Sequence, residues 1–89
     1  MYSLLIEKNA LKKLSKLARR DLKQATAVDK AVEKILKNPY SFKPLKKPMQ
    51  GKRRVHVGSF VLTYAIDEKN QAVKILDYAH HDKIYKQRN

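Results

Sequence analysis

The chain predicts an α+β fold: a small single domain over residues 1–89, with two N-terminal helices packed on an antiparallel sheet in the order β-α-α-β-β-β. Three observations predict it. Two stretches before residue 37 repeat apolar side chains at helical spacing. Three stretches after residue 53 have strand length and strand composition, separated by short turns. A chain of 89 residues also has room for one small core, with no cysteine to staple it by a disulfide or a thiolate-metal site.

Tyr2-Ser3-Leu4-Leu5-Ile6 is a short apolar run ended by charge and reads as a strand. Asn9 is placed to cap the helix that follows. In that helix Leu11, Leu14, Ala18 and Leu22 form a stripe that Ala10 and Leu17 widen, and Lys12, Lys13, Lys16, Arg19 and Arg20 take the opposite face. A second helix is expected from about Thr26 to Leu36, with Thr26 as its cap and Asp29 in its first turn. Its buried stripe is Val28, Ala31, Val32, Ile35 and Leu36, and Asn38-Pro39 ends it. Residues 40–52 hold Pro44, Pro48 and Gly51 and read as an irregular connection, pinned by Phe42, Leu45 and Met49. Arg54–Val57 alternates polar and apolar, and Gly58-Ser59 is a two-residue turn. Phe60–Ile66 is a second strand of this set, 67–70 a turn, and Ala72–Tyr78 the third. These strands form a meander, beside whose last strand Tyr2–Ile6 has the composition to pair. A short helical turn is expected around Asp82–Tyr85 in a polar tail. With helices on one sheet face, the other is left for polar chemistry.

Charge narrows the partners. Lysine and arginine number 21 against 8 acidic residues, a formal net charge of +13. No acidic side chain occurs from Lys34 to Ile66, where Lys43, Lys46, Lys47, Lys52, Arg53 and Arg54 cluster. A solvated face usually mixes signs, so this distribution points to a polyanion bound through its phosphates. No apolar run reaches membrane-span length, and Tyr2–Ile6 is too short for a signal peptide, so a cytoplasmic protein that binds no membrane is expected.

Histidine titrates near neutrality and can take or give a proton. His56 lies between Val55 and Val57, so with the valines toward the helices it shares the open face with Arg54. The bland alternative for His56 is a surface strand residue, and for His80 and His81 a solvated tail. Histidine spacing matches no common metal motif, so neither a metal nor any other cofactor is expected. Arg53 and Arg54 carry guanidinium forks that match phosphate oxygens, with Arg53 directed away from Arg54. Tyr85 suits base stacking or a phosphate hydrogen bond, or else ties down the C-terminus. Asp77 and Asp82 are the acids nearest the histidines, and a turn or cap role is the commoner one for such residues. RNA brings its own nucleophile, the 2′-hydroxyl. Two histidines among cations therefore suffice to cut it, and the same set also suits simple RNA binding.

The segment Gly51-Lys52-Arg53-Arg54-Val55-His56-Val57-Gly58-Ser59-Phe60-Val61-Leu62-Thr63-Tyr64-Ala65-Ile66 resembles the signature strand pair of the RelE/ParE toxin superfamily. Tyr78-Ala79-His80-His81-Asp82-Lys83-Ile84-Tyr85 resembles its closing motif, and Leu45-Lys46 stands where the family has a short basic region. The resemblance spans nearly the whole chain. It implies a RelE-like fold, metal-independent cleavage of mRNA, usually in the ribosomal A site, and a cognate antitoxin that blocks it. The motifs are nearest those of the YafQ-like, histidine-containing branch. By that likeness His81 is the general acid, His56 the general base or its helper, Arg54 the phosphate clamp and Tyr85 a base contact. Two positions depart from the pattern. Val61 stands where RelE-like members often carry an arginine, whose contribution must then come from Arg54, Lys52 or a loop lysine. Ser59 stands where the histidine branch carries an aspartate. The same superfamily includes ParE-like proteins that bind DNA gyrase, and a catalytically inactive RNA- or ribosome-binding protein would explain the charge equally well.

Overall fold

The computed structural model describes residues 1–42 and 51–86, without the side chains of residues 84–86. Strand β1 (Ser3–Ile6) leads into α1 (Lys8–Arg20) and α2 (Leu22–Lys37), followed by a 3-10 turn at Pro39–Ser41. Strands β2 (Lys52–Val57), β3 (Phe60–Asp67) and β4 (Ala72–His80) follow, then the short helix α3 (His81–Lys86). The sheet order is β1-β4-β3-β2. The β2–β3–β4 meander is antiparallel, as expected, and β1 joins beside the last strand in parallel register, Ile6 opposite Ile75. No described helix is long and apolar enough to cross a membrane.

The helix ends differ from the sequence reading. Glu7, rather than Asn9, caps α1, its carboxylate accepting from the backbone N–H of Asn9 at 2.9 Å and of Ala10 at 3.4 Å. The sheet puts it there, because Glu7 N–H donates to Ile75 O at 2.8 Å and the chain turns at once. Asp21 closes α1 through its N–H to Leu17 O and opens α2 by accepting from Gln24 N at 3.0 Å. One aspartate thus serves as both cap and joint, and α2 begins four residues before Thr26. Thr26 instead donates from its hydroxyl to Leu22 O within the first turn. Leu22, expected in the first helix's buried stripe, starts the second helix and is 73% exposed. At the other end of α2 the expected stop holds: Asn38 N–H donates to Lys34 O, and Pro39 begins the 3-10 turn.

The core lies between the two long helices and one face of the sheet. Ile35, Leu62, Tyr64, Val73 and Ile75 are fully buried, with Val28, Val55, Val57 and Tyr78 around them. Each such side chain contributes about 1.5–3 kcal/mol by leaving water. Phe42 packs half-buried against this cluster, as expected, whereas Leu45 and Met49 lie outside the described residues. Tyr64 brings a hydroxyl into the core and satisfies it by donating to Pro39 O at 2.6 Å, which ties the end of α2 to the middle of the sheet. Burial pushes its phenol up to about 12.

Candidate active site

Strand alternation carries the site. Val55 and Val57 are buried against the core while His56 between them is exposed. Residues paired across strands share a face, so His56, Val61 and Ala79 lie in one row, and Arg54, Thr63 and Asp77 in the next. This is the face turned away from α1 and α2. Val61 is fully buried there, so an apolar floor occupies the position where the resembled toxins often have a guanidinium. Thr63 is buried beside it, and its hydroxyl has no hydrogen-bond partner among the described residues.

His56 reaches this end of the sheet by local pairing, and His81 by a contact from far along the chain. Strand β4 ends at His80, and His81 N–H donates to Ser59 O at 3.1 Å in the turn that directly follows β2. Neighbouring strands are about 4.8 Å apart, so the backbones of His56 and Ala79 are separated by roughly 10 Å across Val61. Positive φ at Gly58 alone makes the turn tight, the pattern of a hairpin with glycine in its first position. Gln24 of α2 braces it, its amide donating to Val57 O at 2.8 Å and to the Tyr78 hydroxyl at 3.1 Å. A side chain at Gly58 would meet Gln24 Oε1 at 3.4 Å. Burial raises the Tyr78 phenol above its ordinary pKa, against the opposing effect of the Gln24 hydrogen bond.

Of the two candidate acids, Asp77 faces Lys13 at 2.7 Å across the part of β4 that β1 leaves uncovered. Asp82 is the one beside the histidines, with Oδ1 3.2 Å from His81 Nδ1. Arg54 and His56 line a shallow depression of about 450 Å³ with Ser41 and Phe42. Arg53 points to the opposite side, as expected. Its guanidinium donates to Phe42 O at 2.6 Å and lies 5.0 Å over the Tyr40 ring, so it holds the chain leaving α2. Lys52 is exposed at the start of β2. Lys43, Lys46 and Lys47 lie outside the described residues, and Tyr85 falls within α3 but its side chain is not among those described.

Packing adds two features to the sequence reading. Lys13, Lys16 and Arg20, spaced i, i+3 and i+7, make one cationic stripe on α1 and rim a cleft of about 430 Å³ with Lys83. Its floor is the stacked pair Phe60 and Tyr78, 4.9 Å between ring centres and 7° from parallel. The stripe was visible as spacing, but only the packing of α1 on β4 turns it toward the site end of the sheet. Gln24 gave no signal, because its partners are 33 and 54 residues away.

Comparisons with known proteins agree with this architecture. Residues 4–85 match the family model described as ParE toxin of the type II toxin-antitoxin system parDE. A toxin candidate of Methanocaldococcus jannaschii, RelE4, is 42% identical over 89 residues, covering 99% of this chain and 95% of that one. The RelBE2 toxin–antitoxin complex of Mycobacterium tuberculosis contains a chain 30% identical, with a TM-score of 0.72, over 89% of this chain and 96% of that one. The YoeB/ParE toxin from Agrobacterium tumefaciens shares the fold at a TM-score of 0.82 and 14% identity, over 89% of this chain and 98% of that one. The order of elements, the strand register and the end-to-end match together make this chain a member of the RelE/ParE superfamily of type II toxin–antitoxin toxins.

Proposed function

We propose that this toxin cuts mRNA without a metal, by attack of the 2′-hydroxyl on the adjacent phosphate, and does so on the ribosome. The observation that carries the reading is the 3.1 Å hydrogen bond from His81 N–H to Ser59 O, which draws His81 to the turn at the end of the His56 strand. In this reading His56 takes the 2′-hydroxyl proton or assists its removal, and His81 gives a proton to the leaving 5′-oxygen. Arg54 holds the phosphate and supplies the charge that Val61 cannot. Asp82 positions His81. Lys52 and the loop lysines Lys43, Lys46 and Lys47 guide the RNA backbone, and Tyr85 stacks on a base. This assignment follows the likeness to the YafQ-like branch. A cognate antitoxin is inferred as the protein partner, presenting an acidic or amphipathic segment to the basic face.

A second reading has its own support. The matching family model is that of ParE toxins, which favours a gyrase-directed protein or one that binds without cutting. The site geometry speaks for the nuclease, and the family description for the alternative. Purified protein incubated with a defined mRNA on ribosomes, and in parallel with DNA gyrase in a supercoiling assay, separates them. The nuclease reading predicts cleavage at discrete positions and undisturbed supercoiling. Inhibited supercoiling with intact mRNA would establish the gyrase reading instead, and salt-sensitive RNA binding with neither effect would leave a binding protein.

A further inference from the structure

The junction of β4 and α3 brings together a second kind of chemistry. On a continuing strand His80 and His81 would point to opposite faces. The helix starts between them, and their rings instead stack, 4.5 Å between centres and 29° from parallel. The Asp82 carboxylate faces both rings, Oδ2 at 3.7 Å from His80 Nδ1 and Oδ1 at 3.2 Å from His81 Nδ1. Asp82 N–H donates to His80 Nδ1 at 3.3 Å, so that nitrogen is the unprotonated one, and a metal bound there replaces this long hydrogen bond. One donor atom from each residue lies within 4.8 Å of the others.

We propose that His80, His81 and Asp82 form a surface site for one divalent transition-metal ion, zinc or nickel, and that occupancy silences the nuclease by engaging His81. The silencing rests on the proposed function, whereas the site does not. Two imidazoles and a carboxylate select the zinc and nickel class over magnesium or calcium. Metal–ligand bonds of about 2.0–2.1 Å in a tetrahedron need donors roughly 3.3 Å apart, so side-chain rotations that close the donors by up to about 1.5 Å complete the set. The side chains keep 40%, 45% and 59% of their surface exposed, which leaves the remaining coordination positions open to water. Metal binding requires a neutral imidazole, so an occupied His81 is not the imidazolium that gives its proton to the leaving group.

The test is titration of the untagged full chain with zinc chloride and nickel chloride, followed by calorimetry. One ion per chain is expected, with His80→Gln and Asp82→Asn each weakening it about tenfold or more and His56→Ala leaving it unchanged. The absence of binding, or binding that survives both His80→Gln and Asp82→Asn, overturns the site. Cleavage of ribosome-bound mRNA is then measured with and without the ion. The metal should suppress wild-type cleavage and spare His80→Gln, which lacks the site but keeps His81. Equal suppression of both overturns the silencing, as does no suppression of wild type at an ion concentration that saturates binding. If wild type never cuts, the nuclease reading and the silencing fail together, and calorimetry alone decides the site.

Discussion

The two faces of the sheet are built from the same strands and do different work. Toward α1 and α2, Val55, Val57, Leu62, Tyr64 and Ile75 are buried and the hydroxyls that enter the core, those of Tyr64 and Tyr78, are satisfied. On the other face the rows hold Arg54, His56 and a buried Thr63 whose hydroxyl has no partner among the described residues. Alternation divides a single strand: Val55 and Val57 are buried against the core while His56 between them is exposed. Substitutions on the helix side should therefore alter folding, and those at the exposed His56 and its neighbour Arg54 should alter function.

The largest effect on folding is expected from Leu62→Ala. Leu62 is fully buried beside Val55 and Tyr78 in register, and its truncation should cost about 2–5 kcal/mol in urea unfolding. Tyr64→Phe leaves Pro39 O without its donor and should cost about 1–3 kcal/mol. It also changes the response to alkali. A phenol raised to about 12 in the folded chain contributes stability that is complete below pH 10 and declines as pH climbs toward 12. Tyr64→Phe should flatten that decline without removing it, because Tyr2, hydrogen-bonded to Glu68, is also raised to about 12. Melting curves between pH 9 and 12 would read the difference, and equal slopes would contradict it. Gly58→Ala should cost about 1–2 kcal/mol, since φ is +64° and Gln24 stands close. The smallest change inverts the sign. Thr63→Val removes a buried hydroxyl that has no partner among the described residues and should raise stability by about 1 kcal/mol, where any core-facing polar residue with partners would lose it.

Local rules made much of this legible in the sequence. Alternation at Arg54–Val57 told which way His56 faces, Asn38-Pro39 marked the end of α2, and Gly58-Ser59 marked the tight turn. The composition of Tyr2–Ile6 suggested its place beside β4. The helix starts were harder, because several polar residues in a row can each cap and tertiary anchoring chooses among them. Glu7 prevails over Asn9 through its bond to Ile75, and Asp21 joins two helices with neither glycine nor proline to announce a break. Individual histidines were visible as candidates, but the means of assembling them was not. The bond from His81 to Ser59 and the brace from Gln24 to Val57 are long-range contacts that no periodicity encodes.

The central claim is that His56 and His81 carry the chemistry, while the residues buried against α1 and α2 carry the fold. The most direct measurement is cleavage of ribosome-bound mRNA by His56→Ala and His81→Ala, each paired with its own melting curve. The account predicts a loss of about 10²- to 10⁴-fold in cleavage for His81→Ala and a substantial loss for His56→Ala. It also predicts stability within about 0.5 kcal/mol of wild type for both. Full cleavage by both variants, or a loss explained entirely by unfolding, would contradict it.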